Sequence, residues 1–196
     1  MPKADREWIL KNAENGVITS RIVTEQGIHR SVLSEMVKSG ELIQCSRGIY
    51  MFADEWEDEF YLLQQKYKRG IFSHDTALYL LGYSERVPLA FHMTFPTKYN
   101  SVSLKQENVI VTRVKDSNYY LGITTIETPS GNQVQVYDLE RSLCDMLRGS
   151  SEDIQTTQFA MKKYATSKQK DINKLMHYAK QLRVEPKVRN YMEVLL

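Results

Sequence analysis

The sequence predicts an α+β fold in two parts: a small unit of helices and one hairpin over residues 1–54, then a larger domain over 55–196 with a mostly antiparallel sheet and C-terminal helices. Three observations predict it. Apolar residues recur at helical spacing in short segments with glycine stops before residue 41, and two β-prone runs flank Ser46-Arg47-Gly48. Four β-branched or aromatic runs then lie between residues 90 and 137, and helical periodicity returns after them. Strands grouped in a block, not alternating with helices, mark an α+β domain.

The first helix runs from Asp5 to Glu14 with Trp8, Ile9 and Ala13 inward, and Asn15-Gly16 ends it. Val17-Ile18 reads as a short apolar link. Thr19-Ser20 caps a second helix, Ser20 to Gln26, stopped by Gly27; a third follows from Ile28 to Lys38 and stops at Ser39-Gly40. Glu41 to Cys45 and Ile49 to Phe52 form a hairpin around Ser46-Arg47-Gly48. Three helices and a hairpin in this order are the outline of a winged helix-turn-helix.

A helix from Asp54 to Arg69 links to the second domain, with Asp54 and Glu57 at capping-box spacing and Trp56, Phe60, Leu63 and Tyr67 as its core stripe. Ser73-His74-Asp75-Thr76 opens the next helix, where His74-Asp75 reads as a cap, and Gly82 closes it. Strands are expected at 90–95, 108–114, 119–127 and 133–137. Helices then cover Asp138 to Leu147, about 152–165, about 168–183, and a last stretch after Pro186.

On the third helix, Ile28, Val32, Leu33, Met36 and Val37 gather on one half with His29, which reads as a packing residue. Arg30, Ser31, Ser34 and Lys38 gather on the other. Basic and small polar side chains on one face suit the major groove, because Arg and Lys reach guanine edges or phosphates and Ser lets the backbone approach. Arg47 at the hairpin tip reaches a phosphate or the minor groove. The expected DNA-binding set is therefore Arg21, Arg30, Ser31, Ser34, Lys38 and Arg47. Against it, residues 1–53 hold seven basic and six acidic side chains, so a winged helix used only for protein contacts stays open.

Charge is uneven elsewhere. Residues 161–190 hold nine basic residues against two acidic ones, and on a helix from Lys168 to Arg183 the residues Lys170, Lys174, His177 and Lys180 lie opposite an apolar side. This stripe is a candidate surface for an anionic partner such as a nucleic acid, with a solvated helix face as the alternative.

The sequence also excludes function classes. No apolar run approaches the roughly 18 residues of a spanning helix, and Met1 to Glu7 lacks a signal-peptide core, so a cytoplasmic location without membrane contact is expected. Cys45 and Cys144 read as reduced thiols. The four histidines make no metal-ligand spacing, no glycine-lysine phosphate loop is present, and Gly149-Ser150 lacks the Asp-x-Asp of a nucleotidyltransferase and reads as a helix cap. The expectation is a non-enzyme with no catalytic residue, metal or cofactor.

Three stretches carry a resemblance to a known family: Ser39-Gly40-Glu41-Leu42 leading to Arg47-Gly48-Ile49-Tyr50; Ser73 to Leu78 with Leu81-Gly82-Tyr83 and Pro88; and Val136 to Arg148, which holds a Glu-Arg-Ser-apolar-apolar-Asp pattern. Together they resemble the AbiEi antitoxins of bacterial abortive-infection (AbiE) type IV toxin-antitoxin systems. The resemblance implies a transcriptional autorepressor that binds inverted repeats in its promoter DNA, and an antitoxin that opposes a nucleotidyltransferase-type toxin without a stable complex; a monomer in solution is expected. Of its motif residues Glu140, Arg141 and Asp145, the last two have the spacing of a structural ion pair. A ligand-sensing winged-helix transcription factor and a DNA-processing enzyme targeted by the winged helix are the alternatives.

Overall fold

The computed structural model describes residues 3–100, 104, 107–148 and 153–195. The chain splits into two compact units, Met1–Lys68 and Arg69–Leu196. Most of the expected linking segment clusters with the first.

The first unit runs α1 (Lys3–Asn12), β1 (Val17–Thr19), α2 (Ser20–Glu25), α3 (Ser31–Lys38), β2 (Leu42–Ser46), β3 (Ile49–Phe52) and α4 (Glu59–Lys66). Its core joins Ile9, Ile18, Val23, Ile28, Val32, Leu33, Met36 and Leu42. Val17-Ile18 is not a link but part of β1, which pairs antiparallel with β3, Val17 opposite Met51 and Thr19 opposite Ile49. β2 lies on the other side of β3, giving the order β1-β3-β2. Three residues show no alternation to read; the strand exists because β3 offers it a ladder.

The hairpin is tied to the helices through its turn. Ser20 N–H donates to the Gly48 carbonyl at 2.8 Å. Gly48 has φ +79°, and an added Cβ would stand 2.7 Å from Ser20 Oγ. Conformation and space both demand glycine there.

α4 begins later than expected. Its cap is Asp58, whose carboxylate accepts from Tyr61 N–H at 3.1 Å, and the Asp54–Glu57 capping box does not form. Trp56, assigned to the core stripe, is 92% exposed. Leu63 and Tyr67 of that stripe are buried as expected, and Tyr61 and Leu62 join them.

The second unit runs β4 (Ile71–Phe72), α5 (His74–Leu80), β5 (Phe91–Pro96), β6 (Val109–Val114), α6 (Asp116–Tyr119), β7 (Ile123–Glu127), β8 (Gln133–Tyr137), α7 (Leu139–Arg148), α8 (Ile154–Thr166), α9 (Ile172–Gln181) and α10 (Glu185–Leu195). The strand order is β6-β5-β4-β8-β7. β4–β5 and β7–β8 are antiparallel, whereas β4–β8 and β5–β6 are parallel, so this sheet is mixed where mostly antiparallel strands were expected. β4 has two residues and no readable pattern, yet it sits at the centre and joins the two halves. The strand expected from Tyr119 starts at Ile123 because residues 116–119 form α6.

Every residue of α7 from Glu140 to Leu147 is buried. Leu143, Cys144, Met146 and Leu147 pack with Leu78 of α5, Met161 and Tyr164 of α8, Leu175 and Ala179 of α9, and Val188 and Met192 of α10. Both cysteines are free, and burial pushes the Cys144 thiol above its ordinary range. Gly149-Ser150 lies outside the described residues.

Candidate functional site

The α3 surface separates as its periodicity predicts. Val32, Leu33 and Met36 are buried, while Arg30, Ser31, Ser34 and Lys38 are exposed. Arg30 precedes the helix and donates from Nε to Thr24 Oγ1 at 2.9 Å, so its guanidinium is braced against the end of α2. Arg21 pairs with Glu25 at 2.7 Å on the same helix. Arg47 is exposed in the turn between β2 and β3. His29 is exposed, not packed: Nδ1 lies 2.9 Å from Ser31 Oγ and accepts from Ser31 N–H at 3.3 Å. Because α3 starts at Ser31, His29 lies in the turn before it, outside the helical rotation that placed it inward.

The basic C-terminal stretch has a more structural use than its charge implied. Lys163 donates to the Gly82 carbonyl, Lys170 to Ala165 and Lys187 to Leu147, each at the C-terminal end of a helix, where carbonyls are left over and the dipole favours cations. Lys174, read as facing solvent, bridges Asp138 Oδ2 at 3.1 Å and Glu140 Oε2 at 3.0 Å with its side chain 38% exposed. Burial alone would lower its pKa; hydrogen bonds to Glu140 and Asp138 lift it above the ordinary lysine range. His177 and Lys180 remain exposed on α9, with His177 Nε2 3.0 Å from Gln181 Nε2.

The Glu140–Asp145 motif makes structure. Arg141 Nε meets Asp145 Oδ2 at 2.9 Å, with side chains 0% and 2% exposed. Nη1 of Arg141 donates to the carbonyls of Asn118 and Leu121, and the guanidinium lies 4.1 Å from the Tyr137 ring centre. Glu140 accepts from Tyr164 Oη at 3.2 Å.

Residues from the Ser73–Thr76 motif meet β5 and β6. The helix cap is Ser73, with no side-chain capping bond, so His74-Asp75 is not the cap. His74 is buried with φ +53° and stacks on His92 at 3.9 Å between ring centres. Burial first, then the charges of His92, Arg141 and Arg148, hold its imidazole well below the usual range. Ser73 Oγ accepts from Thr94 Oγ1 at 2.9 Å and lies 2.9 Å from His74 Nδ1. His92 has Nδ1 3.5 Å from Asp75 Oδ1 and Nε2 3.2 Å from Thr112 Oγ1. Sequence reading named neither His92 nor Thr112 as functional, and only His74-Asp75 pointed towards the cluster.

Among the described residues no three His, Cys, Asp or Glu side chains group to hold a metal ion, and no helix is long and apolar enough to cross a membrane.

Comparison with known proteins bears on the class of protein to which the first unit is similar. Residues 3–89 match the family model described as a transcriptional regulator, the AbiEi antitoxin N-terminal domain. The match extends past the first unit through α5. No curated protein matches the chain. Among solved structures, the RV2827C protein from Mycobacterium tuberculosis is similar, with a TM-score of 0.61 at 14% identity over 96% of this chain and 78% of that one. At that identity the likeness is one of fold.

Proposed function

We propose that the chain is the antitoxin of a bacterial type IV abortive-infection system, that its first unit is a winged helix-turn-helix repressing its own operon, and that its second unit carries the antitoxin role. The observation that carries the reading is the exposed face of Ser31, Ser34 and Lys38 on α3 with Arg30 exposed at its N-cap, within a helix–strand–helix–helix–hairpin order that also projects Arg47. α3 is the recognition helix: Arg30 reads a base edge, Lys38 and Arg47 hold phosphates, and Ser31 and Ser34 admit the backbone. Inverted repeats in the promoter recruit two copies, and a nucleotidyltransferase-type toxin is the functional partner, without a stable complex.

Fluorescence anisotropy with a labelled duplex from upstream of the reading frame, against a shuffled duplex, tests the first role. Specific binding at least about 10³-fold tighter than non-specific is expected; equal affinity for both overturns it. Growth of cells expressing the adjacent reading frame, with and without this chain, tests the second. Rescue is expected, and toxicity that persists in the presence of the folded chain contradicts it.

A further inference from the structure

One rim of the five-stranded sheet collects basic side chains. β4 and β5 pair antiparallel with Ile71 opposite Thr94, and β5 and β6 pair parallel with Pro96 beside Val114. Arg69 at the entry to β4, Lys98 just past β5, and Arg113 and Lys115 at the end of β6 therefore lie at the same end of the sheet. All four are exposed. Arg113 and Lys115 flank Val114, which is 3% exposed, so both turn to the face opposite its buried side chain. Asp116 is the one carboxylate among residues 69–70, 97–100 and 113–120.

Backbone contacts, not ion pairs, fix this rim. Thr97 donates from its N–H and from Oγ1 to the Val114 carbonyl, each at 2.9 Å, and Tyr99 N–H donates to the Pro96 carbonyl at 2.9 Å, closing a turn that carries Lys98. The Tyr99 ring stacks on Phe95 at 4.5 Å. Tyr119 Oη donates to the Arg69 carbonyl at 2.9 Å, which ties the end of α6 to the entry of β4. Among the described residues Arg69, Lys98 and Lys115 pair with no carboxylate.

An aromatic ring stands beside these charges. Tyr120 follows α6, is 69% exposed, and meets the Tyr119 ring near-perpendicular at 5.0 Å, so at least one of its faces is open to solvent. Cations set along a rim hold a phosphodiester backbone, and an open aromatic face stacks a base. A single strand offers such base faces, whereas a duplex keeps them stacked inside. We propose that this rim of the second unit binds single-stranded nucleic acid, with phosphates on Arg69, Lys98, Arg113 and Lys115 and a base on Tyr120. It uses no residue of α3, so it stands or falls separately from promoter recognition.

The test is fluorescence anisotropy of the full chain with labelled oligouridylate and oligothymidylate of about 12 nucleotides, and with a duplex of unrelated sequence. Binding of a single strand is expected, and the preference between the two shows whether RNA or DNA is held. Tyr120→Ala should weaken it about 5- to 150-fold, while Tyr120→Phe, which keeps the stacking face, should not. Lys98→Ala and Lys115→Ala should each make the slope of log affinity against log salt shallower by about 0.7. All four side-chain changes lie at exposed positions, so melting temperatures should stay at the wild-type value and show that the variants are folded. A wild-type chain that binds neither single strand at low salt overturns the proposal, as do wild-type affinity and slope in folded Tyr120→Ala, Lys98→Ala and Lys115→Ala. Equal weakening of the duplex and the single strands in these variants makes the rim a duplex contact and overturns it too.

Discussion

At the scale of single residues, Arg141 illustrates how charge can be structural. Its guanidinium is fully buried, shared between Asp145, two carbonyls and the Tyr137 ring, while Nη2 has no hydrogen-bond partner among the described residues. Removing it strands Asp145, whose carboxyl burial already pushes upward against the pull of Arg141. Arg141→Ala should cost about 3–5 kcal/mol, measured by urea unfolding; a loss within about 0.5 kcal/mol would contradict a structural pair. His74 makes a pH prediction. Its folded pKa is depressed, so below about pH 6.5 the unfolded chain binds a proton that the folded chain refuses. Its contribution is complete above that value and is lost as pH falls below it. Urea unfolding between pH 7 and pH 5 should show this decline, and His74→Asn, which tolerates the positive φ and does not titrate, should flatten it; an equal slope in the variant would show that other groups are responsible. Of these residues, the Arg141–Asp145 pair was legible because both ends lie on one helix. The His74–His92 stack and the Lys174 bridge were not, because each joins groups from different elements and pairing across space leaves no local pattern.

At the scale of elements, legibility followed length. α3 was readable in its core face and its outward face because eight residues span two turns, and a 3.6-residue period needs at least that much to register. β1 and β4, with three and two residues, were invisible. The parallel pairings around β4 depend on which distant strands lie beside it, and strand composition does not encode that choice. The hairpin turn gives a test at this scale. Gly48→Ala places a Cβ against Ser20 and strains the backbone, so it should destabilise the first unit by about 1 kcal/mol or more and weaken DNA binding through the displaced Arg47. Normal melting and normal binding together would show that the turn does not position the hairpin.

At the scale of the whole molecule, 26 basic residues nearly cancel 24 acidic ones, so attraction to DNA must come from placement, not net charge. Much of the basic C-terminal stretch is committed to helix ends and to Asp138 and Glu140, which makes Lys174→Glu a folding perturbation. His177 and Lys180 are exposed, and a His177→Glu, Lys180→Glu double variant is the cleaner probe of the candidate surface: it should stay folded and lose toxin rescue or part of its DNA affinity, while full retention of both reduces the stretch to a solvated face. The α3 face is tested most directly by the salt dependence of binding to the upstream duplex for the wild type, Arg30→Ala, Lys38→Ala and Arg47→Ala. Loss of each phosphate contact by Lys38→Ala or Arg47→Ala should make the slope of log affinity against log salt shallower by about 0.9. Arg30→Ala should weaken binding to the specific duplex by about 1–3 kcal/mol and barely change binding to the shuffled one. Wild-type affinity and slope in all three variants would show that DNA binds elsewhere on the molecule or not at all.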